Sequence, residues 1–141
     1  MTSSENTTLR DVGFDARHHE LYRALTDSEG PFKTMKDVFM LAACIGYEDG
    51  RATELDNRTA NIPVSTFTEQ IDWPIIRAIG IASTKDISIL GSQPDLLSLI
   101  ERYANHGIEI INTRLGNIHG NKTIALVEFL LGGQDKQFFE I

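Results

Sequence analysis

The chain has 141 residues, 41% apolar and 23% charged, and its twenty acidic side chains outweigh thirteen basic ones to give a net charge of −7. That length suits one domain with a core of its own, and the acidic balance argues against a protein that holds nucleic acid or a membrane surface through a general positive excess. The single cysteine, Cys44, can close no internal disulfide and build no cysteine-rich zinc site, the pattern of a reducing, cytoplasmic compartment.

Residues 1–13 are rich in Ser, Thr and Asn without periodicity and read as a flexible tail, with a single helical domain over 14–141. The start of the chain has no apolar segment of the secretory kind, and no apolar run reaches the ~20 residues of a membrane span. Asp15 is placed to cap a first helix through ARHHELYRALTD, whose Leu21, Tyr22 and Leu25 fall on one stripe. The stretch PFKTMKDVFMLAACIGYEDGR, residues 31–51, predicts a second helix. Thr34 serves as its N-cap with Asp37 three residues on, and Gly46 stands where a left-handed residue would end it. From Val38 to Ile45 this helix is apolar on every side, which predicts burial on every side, with Phe39 and Leu41 both in the core. Cys44 reads there as a small hydrophobe rather than a nucleophile.

Residues 47–72 form a long connection with no helical period. Connections of that length are often functional or ordered by a partner. NIPVSTF within it predicts a short extended segment that Pro63 confines to an edge. A third helix begins at Asp72 as N-cap, with Trp73 and Pro74 in the first turn and Ile75, Ile76, Ala78, Ile79 and Ala82 on a broad apolar face. KDISIL either continues it or turns into a brief strand; the pattern fits both. After Gly91, Ser92 and Pro94 comes the longest helix, PDLLSLIERYANHGIEIINTRL, with a continuous stripe of Leu96, Ile100, Tyr103, Gly107, Ile111 and Leu115. A mid-helix glycine costs about 1 kcal/mol, so Gly107 predicts another element packed close against it. GNIHGN reads as a loop, KTIALVEFLLGG as a final helix, and Phe138 and Phe139 either dock on the core or form a contact patch. The sum is a mainly α fold, a compact bundle of about five helices with at most a minor short strand pair.

The chemistry of catalysis is hard to find in this sequence. His18 and His19 are adjacent and point about 100° apart on a helix, so they share no metal and read as solvated helix surface. His106 and His119 lie on either side of a helix end without a carboxylate motif. No GxSxG, Walker or GxGxxG pattern occurs. The acids Glu48, Asp49, Glu54 and Asp56 lack the spacing of a calcium loop, which leaves a metal-dependent hydrolase as the weakest reading. The expectation is a protein with no catalytic residue and no cofactor. The connection SEGPFKT is too long for a helix-turn-helix. Lys33, Lys36, Arg51 and Arg58 flank the apolar helix as a candidate basic patch, against the plainer reading of scattered surface charge.

Two blocks carry a family resemblance. One is the Gly30-Pro31-Phe32 start, the lysine-bearing cap, the apolar helix ending in Gly46-Tyr47 and the following Gly50-Arg51; the other is Tyr103-Ala104-Asn105-His106-Gly107 inside its helix. Together they resemble the small DNA phosphorothioation-associated protein 4 family. The resemblance implies a prokaryotic locus that places sulfur in the DNA backbone and defends against phage. It carries over no catalytic residue. Within such a locus the small size, the acidic charge, the long connection and Phe138 and Phe139 favour a non-enzymatic accessory subunit that binds a larger protein of a DNA-modification or defence complex; the alternative is a DNA-binding regulator or sensing module of the same locus, with Lys33, Lys36 and Arg51 as its reader and Arg58 beside them. A homo-oligomer is left open.

Overall fold

The chain joins its fold earlier than its composition suggests. A computed structural model describes residues 11–115 and 126–131. Strand β1 (Val12–Asp15) is buried along its whole length and pairs antiparallel with β2 (Arg58–Ile62), setting Val12 against Ile62, Gly13 against Ala60, Phe14 against Thr59 and Asp15 against Arg58. Val12 and Gly13 therefore belong to the sheet and not to the tail. A β-carbon on Gly13 would lie 2.6 Å from the Thr59 carbonyl oxygen, so glycine is what lets the two strands close.

Asp15 leaves the strand and accepts a hydrogen bond from the Arg17 N–H at 3.4 Å, starting a 3₁₀ turn (Ala16–His18) that runs into α1 (His19–Thr26). Tyr22 and Leu25 on α1 are buried, and the Tyr22 ring stacks on Phe14 with centroids 3.8 Å apart. Helix α2 (Met35–Asp49) begins where the sequence predicts, with Thr34 Oγ1 accepting from the Asp37 N–H at 3.2 Å. It ends later than predicted. Gly50, at φ 79°, takes the left-handed position, and Gly46 stays inside the helix. After β2, Pro63 leads into a 3₁₀ turn (Val64–Thr66), so the extended segment lies mostly before the proline.

Helix α3 (Asp72–Thr84) stops at Lys85, which is left-handed at φ 59°. KDISIL consequently neither continues the helix nor forms a strand: Asp86 caps a 3₁₀ turn (Ile87–Gly91), its Oδ1 accepting from the Ser88 N–H at 2.9 Å. Helix α4 (Gln93–Leu115) runs unbroken through Gly107, and every member of its predicted stripe is buried. Residues 126–131 are helical again, with Leu126 buried. The predicted loop 116–121 and the pair Phe138 and Phe139 lie outside the described residues. No described helix is long and apolar enough to cross a membrane.

The most extensive contact is between α2 and α4, and it is made backbone to backbone. A β-carbon on Gly107 would overlap the Ala42 carbonyl oxygen, and one on Gly46 would overlap the Tyr103 carbonyl oxygen. Gly46 is thus a close-approach residue rather than a helix terminator. Around the crossing, Val38, Phe39, Leu97, Ile100 and Ile108 are fully buried, and Phe39, Phe67 and Trp73 form an aromatic cluster. Leu41, Cys44 and Ile45 are only partly buried, so α2 is not enclosed on every side.

Gly107→Ala should therefore cost about 3 kcal/mol or more through overpacking. Phe39→Ala should cost about 3–5 kcal/mol, and Leu41→Ala clearly less than that. Urea midpoints of the three variants test the order. A Gly107→Ala protein as stable as wild type would contradict the backbone contact.

Candidate functional site

One face of α4 works as a polar clasp. Glu101 is buried; its carboxylate accepts from the Gly13 N–H at 2.8 Å and from the Arg58 guanidinium at 2.9 and 3.0 Å. One turn on, the Asn105 amide donates to the carbonyls of Thr53 and Glu54 at 3.3 and 3.0 Å and to Thr53 Oγ1 at 3.1 Å. His106 meets Asp49 at 2.7 Å, tying α4 to the end of α2. Another turn along, Glu109 meets His18 Nε2 at 2.8 Å and Arg17 at 3.3 Å. The connection after α2 is thus held by the chain itself along its first part.

His18 corrects the reading of a solvated histidine pair. It is only 5% exposed and its Nδ1 has no partner, while His19 sits half-buried with its ring 6.0 Å from that of Phe14. Nothing in the sequence signalled this, since the partner lies 91 residues away. Nearby, Asp15 is fully buried. Burial pushes its carboxyl up, but the Asp56 and Arg17 N–H groups and the Arg17 charge outweigh that and hold it below the usual carboxylate value. Among the described residues no three His, Cys, Asp or Glu side chains gather as a metal site would need. Burial also pushes the Cys44 thiol up, away from nucleophilic character.

The four nominated cations do not converge. Lys36 is drawn inward, its side chain 18% exposed and its Nζ 2.8 Å from buried Asp72. Asp72 also accepts from the Thr68 N–H at 2.8 Å, and Thr68 Oγ1 accepts from the Ile71 N–H at 3.2 Å. Thr68 therefore caps the entry to α3, and Asp72 anchors it instead of serving as N-cap. Arg58 is committed to Glu101. Lys33 and Arg51 are exposed, but they flank opposite ends of α2, about 20 Å apart along a helix of that length.

The geometry also leaves large apolar side chains uncovered. Ile71 is 64% exposed, Ile75 36% and Ile87 71%, just before, on and just after α3. In the helical residues 126–131, Val127, Leu130 and Leu131 are exposed at helical spacing on one side. That turn is anchored from the other side by Leu126 and by Phe129, whose ring lies 5.2 Å beneath the Arg114 guanidinium.

The pattern that defines the DNA sulphur modification system-associated protein 4 family matches residues 13–139, from β1 to beyond the helical residues 126–131. The chain belongs to that family. No curated protein and no solved structure matches it. For this DNA sulphur modification system-associated protein the match runs far beyond the two blocks at residues 31–51 and 94–115 that carry the resemblance in sequence, and it takes in β1, β2 and α3 as well.

The Lys36–Asp72 pair gives a pH test. Burial pushes the Asp72 carboxyl up, yet the Lys36 ammonium and the Thr68 donors hold it below its ordinary 3.8. A carboxyl depressed in the folded state adds stability above its unfolded value, and this is lost as pH falls through the folded one. Lys36→Met leaves the buried charge unpaired and should cost about 3 kcal/mol at pH 7. In that variant Asp72 loses the part of its depression that Lys36 supplies and keeps the part supplied by the Thr68 donors. Acidification from pH 7 to 4 should then cost the variant less stability than it costs the wild type, narrowing the gap between them. Urea midpoints at the two pH values decide, and parallel profiles would remove the pair from the account.

Proposed function

We propose that this protein is a non-enzymatic accessory subunit, working in the cytoplasm, that binds a larger protein of the DNA sulphur modification and phage-defence system. The observation that carries this reading is the set of large apolar side chains left in solvent, above all Val127, Leu130 and Leu131. Exposed apolar groups that sit together gain free energy when a partner covers them. The cations argue in the same direction. Lys36, Arg58 and Arg17 are engaged with the chain's own carboxylates, which leaves less positive charge for phosphate in a chain of net −7. In sequence the exposed residues 127–131 come shortly before Phe138 and Phe139, the other apolar candidates for such a contact.

Tagged purification from the native host, with half the sample nuclease-treated, tests the reading. The same large protein should co-purify from both halves, and Leu130→Asp combined with Leu131→Asp should reduce its recovery about tenfold or more. A partner or DNA lost on nuclease treatment would instead support the DNA-binding regulator.

A further inference from the structure

Beside the start of α2 the surface holds a small pocket of about 160 Å³, lined mainly by apolar atoms, those of Met35, Ile62 and Pro63 among them. Lys36 lines it too, and with its ammonium held by Asp72 at 2.8 Å it offers the pocket its aliphatic stem. An apolar cavity of about 150 Å³ takes up one benzene ring, so this pocket has the size of a single phenyl group. The thioether of Met35 adds to the fit, since sulfur makes favourable contacts with aromatic rings.

The same chain can bring such a ring there. Ala42 meets Gly107, and four residues on Gly46 meets Tyr103, four residues back. Helices α2 and α4 therefore run antiparallel, and the end of α4 lies toward the start of α2. The helical residues 126–131 are fixed at that end, with Phe129 beneath the Arg114 guanidinium. Packed helix axes stand about 8–10 Å apart, and the seven residues from Leu131 to Phe138 can span about 23–25 Å. Gly132 and Gly133 open that stretch, and glycine lets a chain reverse direction. An occupant attached in this way is present at an effective concentration in the millimolar range.

We propose that the phenyl ring of Phe138 fills this pocket of its own chain. Along an extended segment, side chains two apart point the same way and the one between them points oppositely. Glu140 then faces the protein together with Phe138, while Phe139 faces solvent and stays open to a partner. Charge selects this register over its neighbour. Lys33 is exposed just ahead of Thr34 and pairs with no described carboxylate, and the start of a helix favours an anion. Phe138 in the pocket sends Glu140 toward both, whereas Phe139 there would turn Glu140 away. The inference is independent of the accessory-subunit reading, which rests on residues 127–131, and it is tested on the purified chain alone.

Full-length protein labelled with ¹³C at its methionine methyls carries three such signals, from Met1, Met35 and Met40. Phe138→Ala should move the Met35 signal, through loss of the ring current, and delete an NOE between that methyl and phenylalanine ring protons. Phe139→Ala should do neither, and its urea midpoint should stay above that of Phe138→Ala. Glu140→Lys should give part of the Phe138→Ala change, and adding Lys33→Glu should reverse it. Unlabelled wild type mixed with labelled Phe138→Ala should leave the Met35 signal where it is; its return would mean that a second chain fills the pocket and would overturn the proposal. A Met35 signal indifferent to Phe138→Ala, or moved as far by Phe139→Ala, would overturn it as well.

Discussion

The rest of the molecule depends on the contact between the backbones of α2 and α4 at Gly46 and Gly107. With no β-carbon at either position, each helix reaches the other's main chain. Glycine within a helix costs about 1 kcal/mol at each position; the close approach offsets this through the many dispersion contacts it permits along both helices. It also fixes which side of α4 is left to face the sheet and the connection. Asn105 and His106 immediately precede Gly107, so the same crossing that packs the core aims them at Thr53 and Asp49.

From that crossing the polar clasp follows. Glu101, Asn105 and Glu109 recur every fourth residue along α4, and each fastens a different non-helical segment: β1 and β2 through Arg58 and Gly13, the connection through Thr53 and Glu54, the first 3₁₀ turn through His18. A buried ion pair adds little net stability compared with apolar side chains of the same volume, because desolvation cancels most of the attraction. What the pairs contribute here is arrangement. A two-stranded sheet is marginal by itself, and this one is held in place by a carboxylate from a helix 88 residues further along the chain. Arg17, Lys36 and Arg58 are consequently structural parts, which is why a count of lysines and arginines says little about the surface they leave.

The features that could be read in the sequence are those set by neighbours within a turn or so. Thr34 caps α2 through a group three residues away, the α4 stripe repeats every three or four residues, and Gly107 inside an otherwise strong helix announced a close neighbour. Those that could not be read depend on partners far off in the chain. Strand β1 has four residues, all buried, and so has no alternation to display. Lys36 and Arg58 look like any surface cations until Asp72 and Glu101 are brought beneath them. Gly46 carried two meanings, terminator or contact, and only the position of α4 decides between them. As for the site, the sequence puts Ile75, Ile76, Ala78, Ile79 and Ala82 on one broad apolar face, and only the packing shows that Ile76 and Ile79 turn in while Ile75, Ala78 and Ala82 turn out.

Helices α2 and α3 show why hydropathy alone stops short of function. Both are apolar on nearly every side, and that composition is expected of a helix surrounded by protein. For α2 the chain supplies most of the surroundings, with α1 on one side and α4 on the other. Helix α3 packs chiefly on α4 and the 3₁₀ turn that follows it, and its outer side is left to water. A helix meant only for water would carry lysines and glutamates there, whereas α3 carries Pro74, Ile75, Ala78 and Ala82, with Ile71 just ahead of it. Each exposed apolar area holds about 25 cal/mol per Å² in reserve for whatever covers it. The force that assembles the core is therefore not exhausted within one chain, and part of the remainder lies along the outer side of α3.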